Sequence, residues 1–281
     1  MAIVATVKAP LDLLIRWVTH HRNLGFERFF LFFDDPMDAA IGPMSSLEHV
    51  TATRCGAEWW KGQDGSRPVH LVARQLINLE QGIEAARAAG IRWVAHIDAD
   101  ELVRPISPLA EVLNENRADA LRMDVREAIS ERMEYAHIFE SRTFRIPPGR
   151  MRLWVARLLG CRQSIRHGEY FRGHTESKSL VRLDGRVRRM GVHKPQDCEE
   201  GVRIDWTTEI QLLHFDCVGF ADWDSKWNAR VNGNSFGRGM RPARQAQFEA
   251  YAKAARRGLE ARRELFRATQ MIRPREATVL R

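Results

Sequence analysis

The stretch Ile91-Arg92-Trp93-Val94-Ala95-His96-Ile97-Asp98-Ala99-Asp100-Glu101 decides how the rest of the chain is read. Trp93, Val94, Ala95 and Ile97 form a short, nearly continuous apolar run, the pattern of a parallel strand covered on both faces. The run stops at Asp98, Asp100 and Glu101, three carboxylates within four residues. Charge at the carboxyl end of such a strand falls where open α/β sheets bind their ligands. Two Asp side chains flanking one small residue can hold a hard divalent cation, and Mg²⁺ is usually held by one or two carboxylates together with substrate phosphates. The competing reading is a helix cap, since Asp is a good N-cap and acidic residues favour a helix N-terminus. Pro108-Leu109-Ala110-Glu111-Val112-Leu113 does predict a helix nearby.

Upstream, Ile3, Val4 and Val7 predict a first buried strand. Pro10, then Leu11, Leu14, Ile15, Trp17 and Val18 at helical spacing, predict a helix that Gly25 stops. Phe29-Phe30-Leu31-Phe32-Phe33 reads as a second buried strand ending at Asp34-Asp35-Pro36. A helix from Val69 to Ala89, with Gly90 in the C-cap position, leads directly into the acidic strand. This alternation predicts an α/β fold with a doubly wound, mostly parallel sheet flanked by helices, and Lys8, Asp35 and the acidic turn gathered at one edge.

Downstream, 118–125, Ser179-Leu180-Val181-Arg182-Leu183, Gly191-Val192-His193 and Ile210-Gln211-Leu212-Leu213-His214-Phe215 read as further strands. The region 130–168 is rich in arginine and broken by Pro147-Pro148-Gly149, so an exposed excursion or acceptor-side loop is expected there. From Pro242 a basic helix dominates, giving an expected domain over 1–240 and a basic helical extension over 241–281. Along that helix Phe248, Tyr251, Ala255 and Leu259 trace a narrow apolar stripe. It serves either to pack the helix on the domain or to meet an anionic membrane surface.

A net charge of +8 invites anionic partners. No zinc-finger, RNA-recognition or basic-zipper signature is present, so nucleic acid is not expected. Cys55, Cys161, Cys198 and Cys217 are scattered without a C-x-x-C pair, which argues against structural zinc or a disulfide framework and fits a reducing cytoplasm. No apolar run reaches the length of a membrane span and the N-terminus does not read as a signal peptide, so the expected location is the cytoplasm or the inner face of the membrane.

Several segments in order resemble bacterial glycosyltransferases of the family 2-like group, which have the GT-A nucleotide-sugar fold. Leu14 to Phe26, containing Arg16-Trp17-Val18-Thr19-His20-His21 and Leu24-Gly25-Phe26, resembles that group's E-W-x-x-Y-H-x-x-L-G-F helix. Trp93 to Leu102 resembles its D-W-L-x-x-x-D-x-D-E-F strand. Lys178-Ser179-Leu180-Val181-Arg182 resembles K-S-I-V-R-P, Gly191-Val192-His193 resembles G-x-H, and Leu213-His214-Phe215 with Lys226 resembles H-Y…K. Three departures stand out: Lys8-Ala9-Pro10 replaces Lys-Asn-Glu, Arg16 replaces the Glu of E-W, and Arg126-Glu127-Ala128-Ile129-Ser130 replaces a glycine-containing acceptor loop.

The resemblance implies sugar transfer from a nucleotide-sugar donor to a hydroxyl acceptor, a cell-envelope glycan or a lipid-linked one, by an inverting single displacement. It also implies that Asp98 and Asp100 hold Mn²⁺ or Mg²⁺ against the donor diphosphate, with Asp98 alternatively reaching the ribose or binding through water. His214 is the candidate third ligand, against an ordinary strand-end histidine; imidazole favours manganese. Thr6, Lys8, Asp35 and Gln75 are the candidate contacts to base and ribose, and Lys178 to phosphate, against a solvated cation. Asp124 is the candidate base, with Glu127 and Glu176 as alternatives. Rival readings are a metal-dependent nucleotidyltransferase, which would release pyrophosphate, and a non-enzymatic basic nucleic-acid-binding protein. No G-x-x-x-x-G-K loop supports a P-loop enzyme.

Overall fold

The expected alternation of strands and helices begins at the second residue. The computed structural model describes the chain except residues 64, 147–150, 152–153, 156–157, 159–172, 174–175, 234–241 and 273–281. Its first part runs β1 (Ala2–Val7), α1 (Leu11–Asn23), β2 (Arg28–Phe33), α2 (Ile41–Ser45), β3 (Val50–Arg54), α3 (Ala57–Lys61), α4 (Leu71–Ala88), β4 (Trp93–His96), β5 (Glu101–Pro105) and α5 (Leu109–Glu115). It continues through β6 (Ala120–Ala128), β7 (Phe144–Arg145), β8 (Ser179–Arg182), β9 (Val187–Met190), β10 (Pro195–Cys198) and β11 (Ile204–His214), followed by helices at Phe220–Asn232, Pro242–Arg257 and Leu259–Thr269.

The chain packs as two units, Met1–Asp124 with Glu176–Leu212, and Val125–Thr175 with Leu213–Arg281. In the first, β1 pairs in parallel with both β2 and β4, and β2 with β3. Beyond β4 the sheet turns antiparallel, because β8 runs against β4 and β6 against β8. The full order is β3-β2-β1-β4-β8-β6-β11-β5, with β7 on the end of β6. The sheet is therefore mixed, and the mostly parallel expectation holds for its first four strands.

Four phenylalanines of β2, Phe29, Phe30, Phe32 and Phe33, are buried. Each contributes about 1.5–3 kcal/mol by leaving water, and their alternation places two rings on each side of the sheet. α4 covers one side. Leu79, Ile83 and Ala86 join Val4, Phe30 and Val94 in one cluster. A Cβ on Gly82 would stand 2.5 Å from Val4 Cγ1, so only glycine lets the helix come this close to β1. Gly90 ends α4 with φ 68°, the left-handed conformation expected of a C-terminal glycine.

Three expectations change. The acidic turn leads into β5, not a helix, and α5 starts at Leu109, so the helix-cap reading of Asp98 to Glu101 fails. Gly191-Val192-His193 is not a strand; β9 ends at Met190. The basic C-terminal helix is two helices, broken at Gly258 with φ 101°. In the second unit Tyr251 is buried with Trp223, Trp227 and Phe266, and Phe248 and Ala255 pack on the same cluster. Of the two roles expected for this stripe, the structure shows packing for Phe248, Tyr251 and Ala255. Of the arginine-rich excursion, 147–150, 152–153, 156–157 and 159–168 lie outside the described residues, while Met151, Trp154, Val155 and Leu158 within it are helical.

Candidate functional site

Because β1 to β4 are parallel, their carboxyl ends deliver Lys8, Asp34 and Asp35, Cys55 and Gly56, and Asp98 to a single edge. There a cleft of about 620 Å³ is lined by Lys8, Asp35, Trp60 and Arg67, among others. Burial pushes the Cys55 thiol up to about 12, and the Asp34 carboxylate adds to the shift, so this wall residue is an inert thiol.

The edge is built by one face of α4. Arg74, Gln75 and Asn78 are buried polar residues on a helix whose neighbouring positions face the sheet. Each secures a different strand end. Arg74 Nε and Nη2 donate to Asp34 at 2.6 and 2.9 Å, a two-pronged pair, and Nη1 donates to the carbonyls of Pro68 and Val69. Gln75 Nε2 donates to Asp98 at 3.1 Å. Asn78 Nδ2 donates to Thr6 Oγ1 at 3.0 Å, and its carbonyl accepts from Trp59 Nε1. Arg67 adds a second cation on Asp34 at 2.9 Å, which ties the 65–70 segment to the strand end as a wall of the cleft.

The acidic turn is held from three directions. Trp17 Nε1 on α1 donates to the carbonyls of both Asp98 and Glu101, at 3.1 and 2.8 Å. His21, one turn further, accepts from the Val103 amide at Nε2 and donates from Nδ1 to the Trp17 carbonyl. Burial, then the neighbouring His20, pushes His21 down to about 3, so it is neutral with its proton fixed on Nδ1. Within the turn, the Asp98 amide donates to Glu101 Oε2 at 2.8 Å. Underneath, the fully buried Lys178 places Nζ 2.7 Å from Asp98 and 3.6 Å from Glu101. Burial alone would favour a neutral amine; Asp98 and Glu101 outweigh it and raise the Lys178 pKa. His96, 3.1 Å from the same Nζ, is pushed down to about 4 by burial and then by that cation.

Lys8 and Asp35 therefore line the cleft as expected, and Asp35 also accepts from the Met37 amide as a turn residue does. Thr6 and Gln75 bond to Asn78 and Asp98 instead of lining it. Lys178 is not a solvated cation but a fully buried one. Asp124 is buried in mid-strand on β6, not at the strand's end. Glu127 is paired with Arg145 at 2.6 Å and Glu176 is exposed. His214 is buried at the end of β11, in the second unit. Sequence reasoning missed Asp34 and Asn78 as site residues. Their signal is polar residues at positions where the helical or strand period demands apolar ones.

Among the described residues no group of three or more His, Cys, Asp or Glu side chains is arranged to cage a metal. With Asp98 engaged by Lys178 and Gln75, the donor set fits an ion shared with a ligand's phosphates through Asp100, not a full protein cage.

A cleft at the carboxyl ends of parallel strands lies where open α/β sheets bind their ligands. No family model matches the chain. Two glycosyltransferase-like proteins of Arabidopsis thaliana are similar to it. One is 24% identical over 253 residues, covering 80% of this chain and 55% of the relative; the other is 23% identical over 265 residues, covering 80% and 49%. The chain thus spans about half the length of these relatives. Among solved structures, HddC from Yersinia pseudotuberculosis covers 76% of this chain and 92% of its own at 9% identity, with a TM-score of 0.35. The galactosyltransferase LgtC, in complex with donor and acceptor sugar analogues, covers 65% and 58% at 18% identity, with a TM-score of 0.28. Overlaps this loose carry no weight for the site. No helix among the described residues is long and apolar enough to cross a membrane.

Proposed function

We propose that this chain is a nucleotide-sugar-dependent glycosyltransferase of GT-A type. The observation that carries this reading is the shared edge, where the parallel strands β1, β2 and β4 end on the same side of the sheet in Lys8 and Asp35, which line the cleft, and in the turn that starts at Asp98. In this reading the cleft takes the donor nucleoside, with Asp35 accepting from sugar or base and Trp60 forming an apolar wall. Lys8 and Arg67 offset diphosphate charge. Asp100 would be the direct ligand of Mn²⁺ or Mg²⁺, with His214 as a proposed further ligand. Asp98, fixed by Lys178 and Gln75, holds the turn in register or contacts ribose. A bound ion would supply Lewis-acid stabilisation of the departing diphosphate, an effect worth several kcal/mol.

The acceptor hydroxyl loses its proton to a carboxylate as its oxygen attacks the anomeric carbon and the bond to diphosphate breaks, inverting that centre. Asp124 is the proposed base. Glu127 is less suited, being engaged by Arg145. The proposed acceptor is a cell-envelope glycan or lipid-linked hydroxyl. The test is incubation with a panel of nucleotide sugars and Mn²⁺, scoring nucleoside diphosphate release. Release of pyrophosphate instead, or no turnover with any donor, would refute sugar transfer.

A further inference from the structure

β6 is buried along its length except at Arg122 and Arg126. Arg122 sits between Leu121 and Met123, an apolar setting for a charge. Among the described residues it makes no hydrogen bond or ion pair, and its Nε is buried without an acceptor. A buried donor left unmade is costly and calls for a partner. The guanidinium lies instead over the Trp206 ring, 5.1 Å from its centroid. That ring is 53% accessible, and Ile204, two residues back on β11, is 41% accessible. β11 is an interior strand, flanked by β6 and β5. Strand alternation puts Ile204 and Trp206 on one face of it, so the sheet shows solvent an apolar platform beside an unpaired cation.

The platform is tied by register to the acidic turn of the same unit. Val94 pairs with Val181, and Val181 with Ala120, so β4 and β6 run in the same direction on either side of β8. Continuing that register sets Arg122 level with position 96 and Asp124 level with position 98. Arg122 and Asp124 share a face of β6, about 7 Å apart along the strand and two strand spacings, roughly 10 Å, from β4.

We propose that Arg122 and Trp206 form the subsite for an anionic sugar of the acceptor glycan. The proposal rests on the glycosyltransferase reading and names the acceptor's chemistry. A guanidinium stacked on a ring keeps its edge donors for a carboxylate or phosphate, which it meets in a two-pronged pair. The negative face of the indole attracts the polarised C–H groups on one side of a pyranose ring. With the charged group held at Arg122, the hydroxyl to be glycosylated lies towards Asp124. A nucleic-acid base would also stack on Trp206, but single-strand binding uses successive aromatic rings along a basic groove, and here one ring meets one arginine.

The test compares binding of methyl glucuronide, glucose 6-phosphate and neutral methyl glucoside to the full chain by saturation-transfer NMR titration. An anionic sugar should bind at least about tenfold more tightly than the neutral one, and less so in high salt. Which anionic sugar wins tells carboxylate from phosphate. Arg122→Met keeps the stem against Trp206 and should erase the preference at an unchanged thermal midpoint; should it not fold, Arg122→Gln is read in its place. Trp206→Thr should weaken all three sugars. Equal affinity for the three, or none for any, would overturn the proposal. So would an undiminished preference in the folded Arg122→Met protein, or a single-stranded oligonucleotide that binds through Trp206 where no sugar does. Nucleoside diphosphate release from the donor panel is scored separately. Turnover with equal sugar affinities overturns the subsite alone, whereas no turnover with any donor removes sugar transfer and the acceptor role with it.

Discussion

Replacing Lys178 with methionine removes a charge from beneath the acidic turn while keeping most of the side chain's volume. The parent Nζ is fully buried, 2.7 Å from Asp98 and 3.6 Å from a Glu101 that is itself fully buried. Lys178→Met takes the Lys178 charge away from Asp98 and from the buried Glu101, a loss of about 3–5 kcal/mol. Against a usual total of roughly 5–15 kcal/mol, that is a large share of the stability. The loss has a signed pH dependence. Against burial, which lowers it, pairing with Asp98 and Glu101 raises the Lys178 pKa in the fold, so the parent's gain is complete below the unfolded lysine value and is lost as pH rises through the raised folded one. Lys178→Met/Glu101→Gln should recover much of the loss at neutral pH, because a glutamine carbonyl can still accept the Asp98 amide. Urea unfolding followed by tryptophan fluorescence, at neutral and alkaline pH, measures both variants. A single-variant loss below about 1 kcal/mol, or a double variant no more stable than the single, would refute the buried-charge account.

Asp100→Ala should end metal-dependent turnover in a folded protein and remove the thermal stabilisation that nucleoside diphosphate with Mn²⁺ gives the parent. His214→Ala should weaken Mn²⁺ binding more than metal-free nucleotide binding; titration calorimetry separates the two. His21 is held near 3 in the fold against 6.5 unfolded, so its contribution is complete above the unfolded value and is lost as pH falls towards the folded one. The parent's stability should decline over that window by up to roughly 1.4 kcal/mol per pH unit for this group, and His21→Gln should flatten the slope. Gly82→Ala drives a Cβ to 2.5 Å from Val4 Cγ1 and should cost about 1–3 kcal/mol, read as a lowered urea midpoint with an unchanged slope.

The elements legible in the sequence are those whose pattern is local. β1, β2 and β4 are apolar runs, α1 and α4 carry helical periodicity, and Gly90 marks its own helix end. What remained hidden depends on partners far along the chain. Lys178 reads as a solvated cation until β8 sets it against Asp98, 80 residues away. The Trp17 and His21 of the α1 pattern could be matched to a family, but their work lies in bonds to residues 98–103. The antiparallel half of the sheet was hidden for the same reason, since strand direction beyond β4 follows from long connections and not from composition. In the site, Asp35 was legible because it ends an apolar strand. Asp34 was not, because its partner Arg74 is on α4.

The grip of Trp17 on the acidic turn falls on carbonyl oxygens alone. Such a clamp is indifferent to which side chains ride on the backbone it holds. Positions 99 and 100 can therefore be randomised in a library while α1 keeps the loop's shape. Survivors would report on reactivity, with little contamination from misfolding. Randomising Trp17 would do the reverse, emptying the library of active members though no reacting group had been touched.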